Sequence, residues 1–130
     1  MESALQRSAA LNVEEGEVVL TPLPQADGQI KIRPAVALRL MPYFGDILVC
    51  GISTQLHQQV VGFDEIVASS DADFASSGLR FDSLIRLGFI TAQPLPEIVG
   101  VIGAVSPERH ARLLRRLSGY LIESLNPDPR

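Results

Sequence analysis

The sequence predicts a mainly β protein: a small β-barrel or strongly bent sheet, followed by one C-terminal α-helix. Two observations support this fold class. Short apolar runs rich in Val, Ile and Leu recur along the chain, and Gly, Pro and Asp residues typical of turns separate them. Clear helical spacing of leucines occurs near the C-terminus, so the repeated alternation of strands and helices that builds a parallel α/β fold is not indicated.

The predicted strands are bounded by turn chemistry. Gly16 precedes the first strand, and the Asp27-Gly28 pair supplies a left-handed position for the turn after it. Pro34 is tolerated near the start of the second strand or on a sheet edge. A single helical turn is expected around residues 71–73. The predicted strands cover residues 17–23, 30–40, 46–53, 63–68, 83–91 and 98–105.

The C-terminal helix is predicted to begin after Ser106, which suits an N-cap, with Pro107 at the first helical position. The Asn126-Pro127 pair is expected to stop it. Its apolar stripe consists of Ala111, Leu113, Leu114, Leu117, Tyr120 and Leu121.

Three arginines, Arg109, Arg112 and Arg116, share another face of this helix at helical spacing. The pattern predicts a solvated face, and a contact with a partner or with RNA is the open alternative.

The 130 residues are enough for one domain with a real core. We expect that domain over residues 14–125, an N-terminal arm with loose helical spacing over residues 1–13, and a tail over residues 126–130. No apolar run reaches the length of a membrane span, and the N-terminus has neither the basic nor the apolar region of a signal peptide. We therefore expect a cytoplasmic protein without a membrane partner.

Charge and motif content exclude several function classes. The net charge of −4 argues against a protein that coats nucleic acid, since this requires a broadly basic surface, although a local basic groove stays possible. Neither a phosphate-binding glycine loop, nor a dinucleotide fingerprint, nor a Cys/His cluster at metal spacing occurs, so no cofactor or metal is expected. Cys50 lies in an apolar run and is predicted to be a buried, inert thiol.

Polar residues cluster at the ends of the apolar strands. Arg33 stands at the start of the second strand, and Ser53 and Thr54 end the third. The end of one antiparallel strand meets the start of its partner, so Arg33 is predicted to face these hydroxyls across a hairpin. A guanidinium beside hydroxyl groups suits a phosphate, although ordinary solvated turn residues are an open alternative. Further polar residues near strand ends are Lys31, Gln55, Asp82, Ser83 and Arg86.

Five short stretches occur along the chain in the following order: GEVVLTPLP, IRPAVAL, DILVCGISTQ, SGLRFDSLIRLGFI and IGAVSPE. In this order and spacing they resemble the PemK/MazF family, the toxins of type II toxin–antitoxin systems. The resemblance runs from about Glu14 to Leu125. It implies an SH3-like barrel with a C-terminal helix, usually assembled as a homodimer.

The resemblance further implies a sequence-specific endoribonuclease that cuts single-stranded RNA (mRNA) without a metal, inhibits growth and is neutralised by a cognate antitoxin protein. In that reaction the RNA 2′-hydroxyl attacks its own phosphate, leaving a 2′,3′-cyclic phosphate and a 5′-hydroxyl. Arg33 matches the family's catalytic arginine, Ser53 falls on its catalytic threonine, and Thr54 sits beside it. The implied RNA-binding residues are Lys31, Gln55, Asp82, Ser83 and Arg86.

The chain departs from the family pattern in ways that keep other hypotheses open. Glu17 replaces the commoner Asp, Ser53 replaces Thr but keeps the hydroxyl, and Ser83 stands where some active members carry an acidic residue, with Asp82 adjacent. A second hypothesis is therefore a catalytically degenerate module of this fold that binds protein or nucleic acid. A third is a structural role in a dimer or larger complex. Whether His57 reaches the phosphate is a further open question.

Overall fold

Six strands and two α-helices build the part of the chain that the computed structural model describes, residues 12–42 and 44–123. The strands are β1 Glu17–Pro24, β2 Ile30–Leu40, β3 Ile47–Ser53, β4 Glu65–Val67, β5 Ser83–Gln93 and β6 Gly100–Ala104. The helices are α1 Phe74–Ser77 and α2 Pro107–Leu121, with single 3-10 turns at Leu56–Gln58 and Leu95–Glu97. All strand pairs are antiparallel, and the strand order is β4-β5-β3-β2-β1-β6.

The predicted fold class, mainly β with a C-terminal helix, is confirmed, and each strand lies within two residues of its predicted bounds. β4 is shorter than predicted because Asp64 uses its carboxylate where a strand would continue: Oδ2 accepts from the backbone N–H of Val60 and Oδ1 from that of Leu87, both at 2.9 Å. The helical turn expected at residues 71–73 is found immediately after them, as α1. The predicted tail, the Asn126 stop signal and residues 1–11 of the predicted arm lie outside the described residues.

The sheet curls into a half-barrel, and its strand pairing is irregular at three places. Register shifts between Val18 and Val19, Ala37 and Arg39, and Cys50 and Ile52 bend three of the strand pairs.

The helix α1 packs against β6, where the Ser76 hydroxyl donates to the carbonyl oxygen of Ala104 at 3.2 Å. A side chain at Gly103 would collide with the Ser76 carbonyl, so glycine is required for this approach.

Alternate residues of the strands fill two cores on opposite faces of the sheet. The helix-side core contains Val18, Val36, Leu38, Cys50, Ile52, Val67, Ile85, Leu87 and Val105, covered by Leu113 and Leu117 of α2. The second core contains Val13, Val19, Leu23, Ala35, Ala37, Ile47, Val49 and Ile98, with Phe89, Leu95 and Val101 packed against it. On β2, Arg33 shares the odd-numbered face of Ala35 and Ala37, so its side chain starts on the side of the second core.

The helix α2 begins as predicted: the Ser106 hydroxyl accepts from the backbone N–H of Arg109 at 3.1 Å, with proline next in sequence. The prediction of a solvated arginine face is wrong. Arg109 is 6% exposed and pairs with Glu65 and Asp73, each at 2.8 Å. Since β4 and the following loop place carboxylates beneath the helix, this face anchors α2 to the sheet.

Candidate functional site

A cleft of about 630 Å³ opens where β1, β2, β3 and β5 meet the second core. Leu23 and Phe89 belong to both the core and the cleft wall, so the cleft floor is apolar. The polar wall consists of Gln25, Arg33, Ser53, Thr54, Gln55, Gln58, Ser83 and Arg86. An apolar floor with a few converging polar groups is the usual construction of a ligand site.

Arg33 reaches the cleft through the register of the β2–β3 hairpin. Ala35 lies opposite Gly51 and Val36 opposite Cys50; Arg33 precedes Ala35 by two residues on β2, and Ser53 follows Gly51 by two residues on β3. Both residues line the cleft. The side chain of Arg33 is exposed, and its Nε–H donates to Oε1 of Gln25 at 3.3 Å. Within residues 12–42 and 44–123, no carboxylate lies within ion-pair distance of its guanidinium.

The end of β3 supplies the hydroxyl groups. The Ser53 hydroxyl accepts from the backbone N–H of Gln55 at 3.0 Å, which turns the chain sharply and leaves the hydroxyl proton available to donate. Thr54 and Gln55 follow as exposed residues in the cleft wall. The one-turn helix Leu56–Gln58 then brings Gln58 to the same wall.

The third side of the cleft comes from β5. The Arg86 guanidinium lies over the ring of Phe89, 5.6 Å from its centroid, a cation–π geometry. The same ring covers Gly51, where an added Cβ would come within 2.6 Å of it. Ser83 is 3% exposed, and its hydroxyl donates to the carbonyl oxygen of Phe81 at 2.7 Å, which leaves it only an acceptor role toward a ligand.

Lys31 and Asp82, two of the predicted RNA-binding residues, do not line the cleft, and neither does His57. Lys31 is exposed on β2, two residues beyond Arg33 toward the hairpin tip. Asp82 is exposed, and its carboxylate accepts from the backbone N–H of Ser69 at 2.8 Å, so it organises the loop before β5. His57 is exposed on the one-turn helix, whereas its neighbour Gln58 lines the cleft.

Among the polar and aromatic residues of the cleft lining, sequence reasoning missed three: Gln25, Gln58 and Phe89. Phe89 is spaced three residues from Arg86, a distance at which strand alternation predicts opposite faces, so the sequence carried no signal for their contact. Gln25 had a signal in principle, because the Asp27-Gly28 turn folds β1 back on β2 and brings it beside the start of β2. That contact depends on the side-chain conformations, which the strand pattern does not specify.

The charged groups of the described lining are two cations, Arg33 and Arg86. Neither aspartate, glutamate nor histidine occurs among the lining residues, so the cleft favours an anion electrostatically. Elsewhere in the described part of the chain, no group of three or more His, Cys, Asp or Glu side chains could hold a metal ion. Burial raises the pKa of the Cys50 thiol to about 12, as expected for an inert core cysteine.

In the described range, no helix is both long and apolar enough to pass through a lipid bilayer.

The comparison with solved structures agrees with this architecture. No protein-family model matches the chain, and no curated protein sequence matches it significantly. Among solved structures, the chain is similar to the Mycobacterium tuberculosis toxin MazF-mt6, with a TM-score of 0.60 and 18% identity over 81% of this chain and 95% of that one. The protein therefore has the fold of a MazF toxin, a curled antiparallel half-barrel with a C-terminal helix.

Proposed function

We propose that the protein is a toxin-like endoribonuclease that cuts single-stranded RNA by metal-independent transesterification in this cleft. One observation carries the proposal: Arg33 lines the same anion-favouring cleft as Ser53 and Thr54, which lie 20 and 21 residues further along the chain. The likeness to the MazF-mt6 toxin supports the fold on which this chemistry would run.

The main catalytic requirement of the proposed reaction is neutralisation of the negative charge on the reacting phosphate. The RNA 2′-oxygen attacks the adjacent phosphorus as its proton passes to a water molecule, and the bond to the 5′-oxygen breaks as that oxygen takes up a proton from solvent. Negative charge grows on the non-bridging oxygens, where the Arg33 guanidinium and the hydroxyl protons of Ser53 and Thr54 would donate hydrogen bonds. Arg86, Gln55 and Gln58, which line the same cleft, would hold the adjoining nucleotides.

The biological setting belongs to the same proposal. Inhibition of growth, neutralisation by a cognate antitoxin and assembly as a homodimer in the cytoplasm are what the resemblance to PemK/MazF toxins implies. The cationic cleft supports an antitoxin that presents acidic side chains to it, because such a segment would compete with RNA for the same charges.

The decisive experiment is cleavage of a long single-stranded RNA in the presence of EDTA, with mapping of the new ends. We expect discrete cuts with 5′-hydroxyl and 2′,3′-cyclic phosphate ends, and Arg33→Ala should lower the rate by at least about 100-fold because it removes the main neutralising charge. Arg115→Ala is the matched control: it removes one exposed cation from α2, away from the cleft. Equal losses in the two variants would contradict the assignment of Arg33.

The hydroxyl groups give a second test of the same site. Replacing Ser53 and Thr54 together by Ala should lower the rate by about 10- to 100-fold, as expected when donors to the reacting phosphate are removed. Either single substitution should cost less, since the neighbouring hydroxyl lines the same cleft wall. A double variant that cleaves like the parent would exclude a role for β3 in phosphate binding.

A second candidate function is the non-cleaving module. The observation that favours it is the composition of the described cleft lining, which offers neither a carboxylate nor an imidazole to accept the 2′-hydroxyl proton. By the resemblance, Ser83 stands where some active members of the family carry an acidic residue. Its hydroxyl proton is already donated to the carbonyl oxygen of Phe81. Folded protein that binds the RNA but yields no new ends in EDTA would decide for this candidate.

A further inference from the structure

We propose that Gln25 is a positioning residue for Arg33: it holds the guanidinium by a neutral hydrogen bond so that its two terminal nitrogens face the phosphate. The inference rests on the proposed function for its substrate and goes beyond it by assigning a role outside the predicted site residues. Its starting point is the 3.3 Å hydrogen bond from Nε of Arg33 to Oε1 of Gln25 within the cleft.

The β1–β2 turn holds the Gln25 side chain in place. The backbone N–H of Gln25 donates to the carbonyl oxygen of Gln29 at 2.7 Å, and its carbonyl oxygen accepts from the N–H of Gly28 at 2.9 Å. Gly28 has a φ of 84°, which glycine adopts without strain. Nε2 of Gln25 donates to the carbonyl oxygen of Leu23 at 3.0 Å. With its nitrogen anchored in this way, the amide points its oxygen toward Arg33.

The geometry determines which donors of Arg33 stay available. A guanidinium has five N–H donors, and the bond to Gln25 occupies the single donor at Nε. The remaining four belong to the terminal nitrogens, whose outer edge can bind two phosphate oxygens in parallel. With its Nε–H bonded to Gln25, the guanidinium can bind a phosphate end-on through its two terminal nitrogens. It cannot bind the phosphate side-on, through Nε and one terminal nitrogen.

The neutrality of the amide matters as much as its position. A carboxylate in the same place would pair with the guanidinium and reduce its attraction for a phosphate, as the carboxylates below α2 do for Arg109. Glutamine restrains the side chain without cancelling its charge. The Arg33 side chain is exposed and long, so without this restraint it would lose more conformational freedom when it orders against the reacting phosphate in the transition state.

Two variants separate these effects. Gln25→Met keeps the length of the side chain but removes the acceptor, so we expect the single-turnover cleavage rate to fall about 10-fold or more with little change in KM. Gln25→Glu keeps an acceptor but adds a charge, so we expect weaker binding of RNA. Gln29→Met is the matched control. Gln29 lies exposed in the same turn, but the hydrogen bond of the Arg33 guanidinium goes to Gln25 and not to Gln29.

Two readouts do not depend on cleavage. The first is the NMR signal of the Arg33 Nε–H, which should shift in Gln25→Met and stay unchanged in Gln29→Met. The second is affinity for an oligonucleotide of the same sequence with 2′-deoxyribose throughout, which cannot be cut by this reaction. Gln25→Glu should bind it about 10-fold more weakly than the parent at low salt, with a shallower dependence on salt concentration.

The outcomes distinguish this inference from the proposed function. If the parent cuts RNA and Gln25→Met cuts it equally well, the positioning role is wrong and the ribonuclease stands. If the parent does not cut RNA, the ribonuclease is wrong, and the positioning role is decided by the uncleavable oligonucleotide. Equal affinity of the parent and Gln25→Glu for that oligonucleotide, or an Arg33 signal unaffected in Gln25→Met, would overturn the inference.

Discussion

Arginines occur in two contrasting environments in this protein. In the cleft, Arg33 contacts a neutral amide and Arg86 lies over an aromatic ring. Below α2, Arg109 makes ion pairs with Glu65, Asp71 and Asp73 at 2.8–3.0 Å, and Glu65 also pairs with Arg112 and Arg116. The same residue type therefore has two roles. Carboxylates neutralise the arginines below α2, whereas no carboxylate lines the cleft that contains Arg33 and Arg86.

The titration behaviour of the helix-side network follows from this pairing. The hydrogen bond from Arg109 holds the pKa of Asp73 down to about 2, despite the burial that opposes it. Burial alone would raise the pKa of Glu65, but the hydrogen bond and charge of Arg112, together with the charges of Arg116 and Arg109, lower it overall. In return, the hydrogen bond to Asp73 raises the pKa of Arg109. The charges of this network are balanced within the folded protein. The cleft cations Arg33 and Arg86 have no carboxylate among the lining residues and can bind an anionic ligand.

The largest effect expected from breaking this contrast is that of Arg109→Met. It leaves Glu65 and Asp73 buried with fewer cationic partners, so the free energy of unfolding should fall by about 3–5 kcal/mol. Urea unfolding followed by circular dichroism measures it, with Arg115→Met as the control on the exposed face of α2. A loss below about 1 kcal/mol would mean that the network contributes little to stability.

A smaller effect is expected from acid. The folded-state pKa of Asp73 is about 2, below the ordinary value of 3.8, so its stabilising contribution is present above pH 3.8 and is lost as the pH falls toward 2. The contribution is about 2 kcal/mol. Urea midpoints measured from pH 6 to pH 2 should fall across this window, and the fall should be smaller in Asp73→Asn. An identical pH profile in both proteins would show that Asp73 is not the group that titrates.

The smallest effect is that of Arg116→Ala. Its side chain is 33% exposed, and Glu65 keeps Arg109 and Arg112 as partners when it is removed. We therefore expect a loss below about 1 kcal/mol, in the range of exposed pairs, and a loss that shrinks with added salt. A loss equal to that of Arg109→Met would mean that the three pairs act as one unit, which a double variant would confirm.

The comparison also explains where prediction from sequence succeeded and where it failed. Strand positions followed from short apolar runs and from turn residues such as Asp27-Gly28, which are local properties. That Arg33 and Ser53 line one cleft was expected from the hairpin that joins β2 to β3, which is also a local property. The arginine face of α2 was misjudged because its partners, Glu65, Asp71 and Asp73, come from segments more than 35 residues away.

The sequence by itself determined the fold class, the order of the strands along the chain, the start of α2 and the candidates Arg33, Ser53 and Thr54. Only the tertiary structure decided which cations are neutralised. The curl of the sheet places the carboxylates of β4 and its following loop under α2 and leaves the cleft wall with Arg33, Arg86 and neutral amides. Whether a charge is available to a ligand depends on which groups surround it in space, and for Arg109 those groups come from β4 and its following loop, 36 to 44 residues away in the chain.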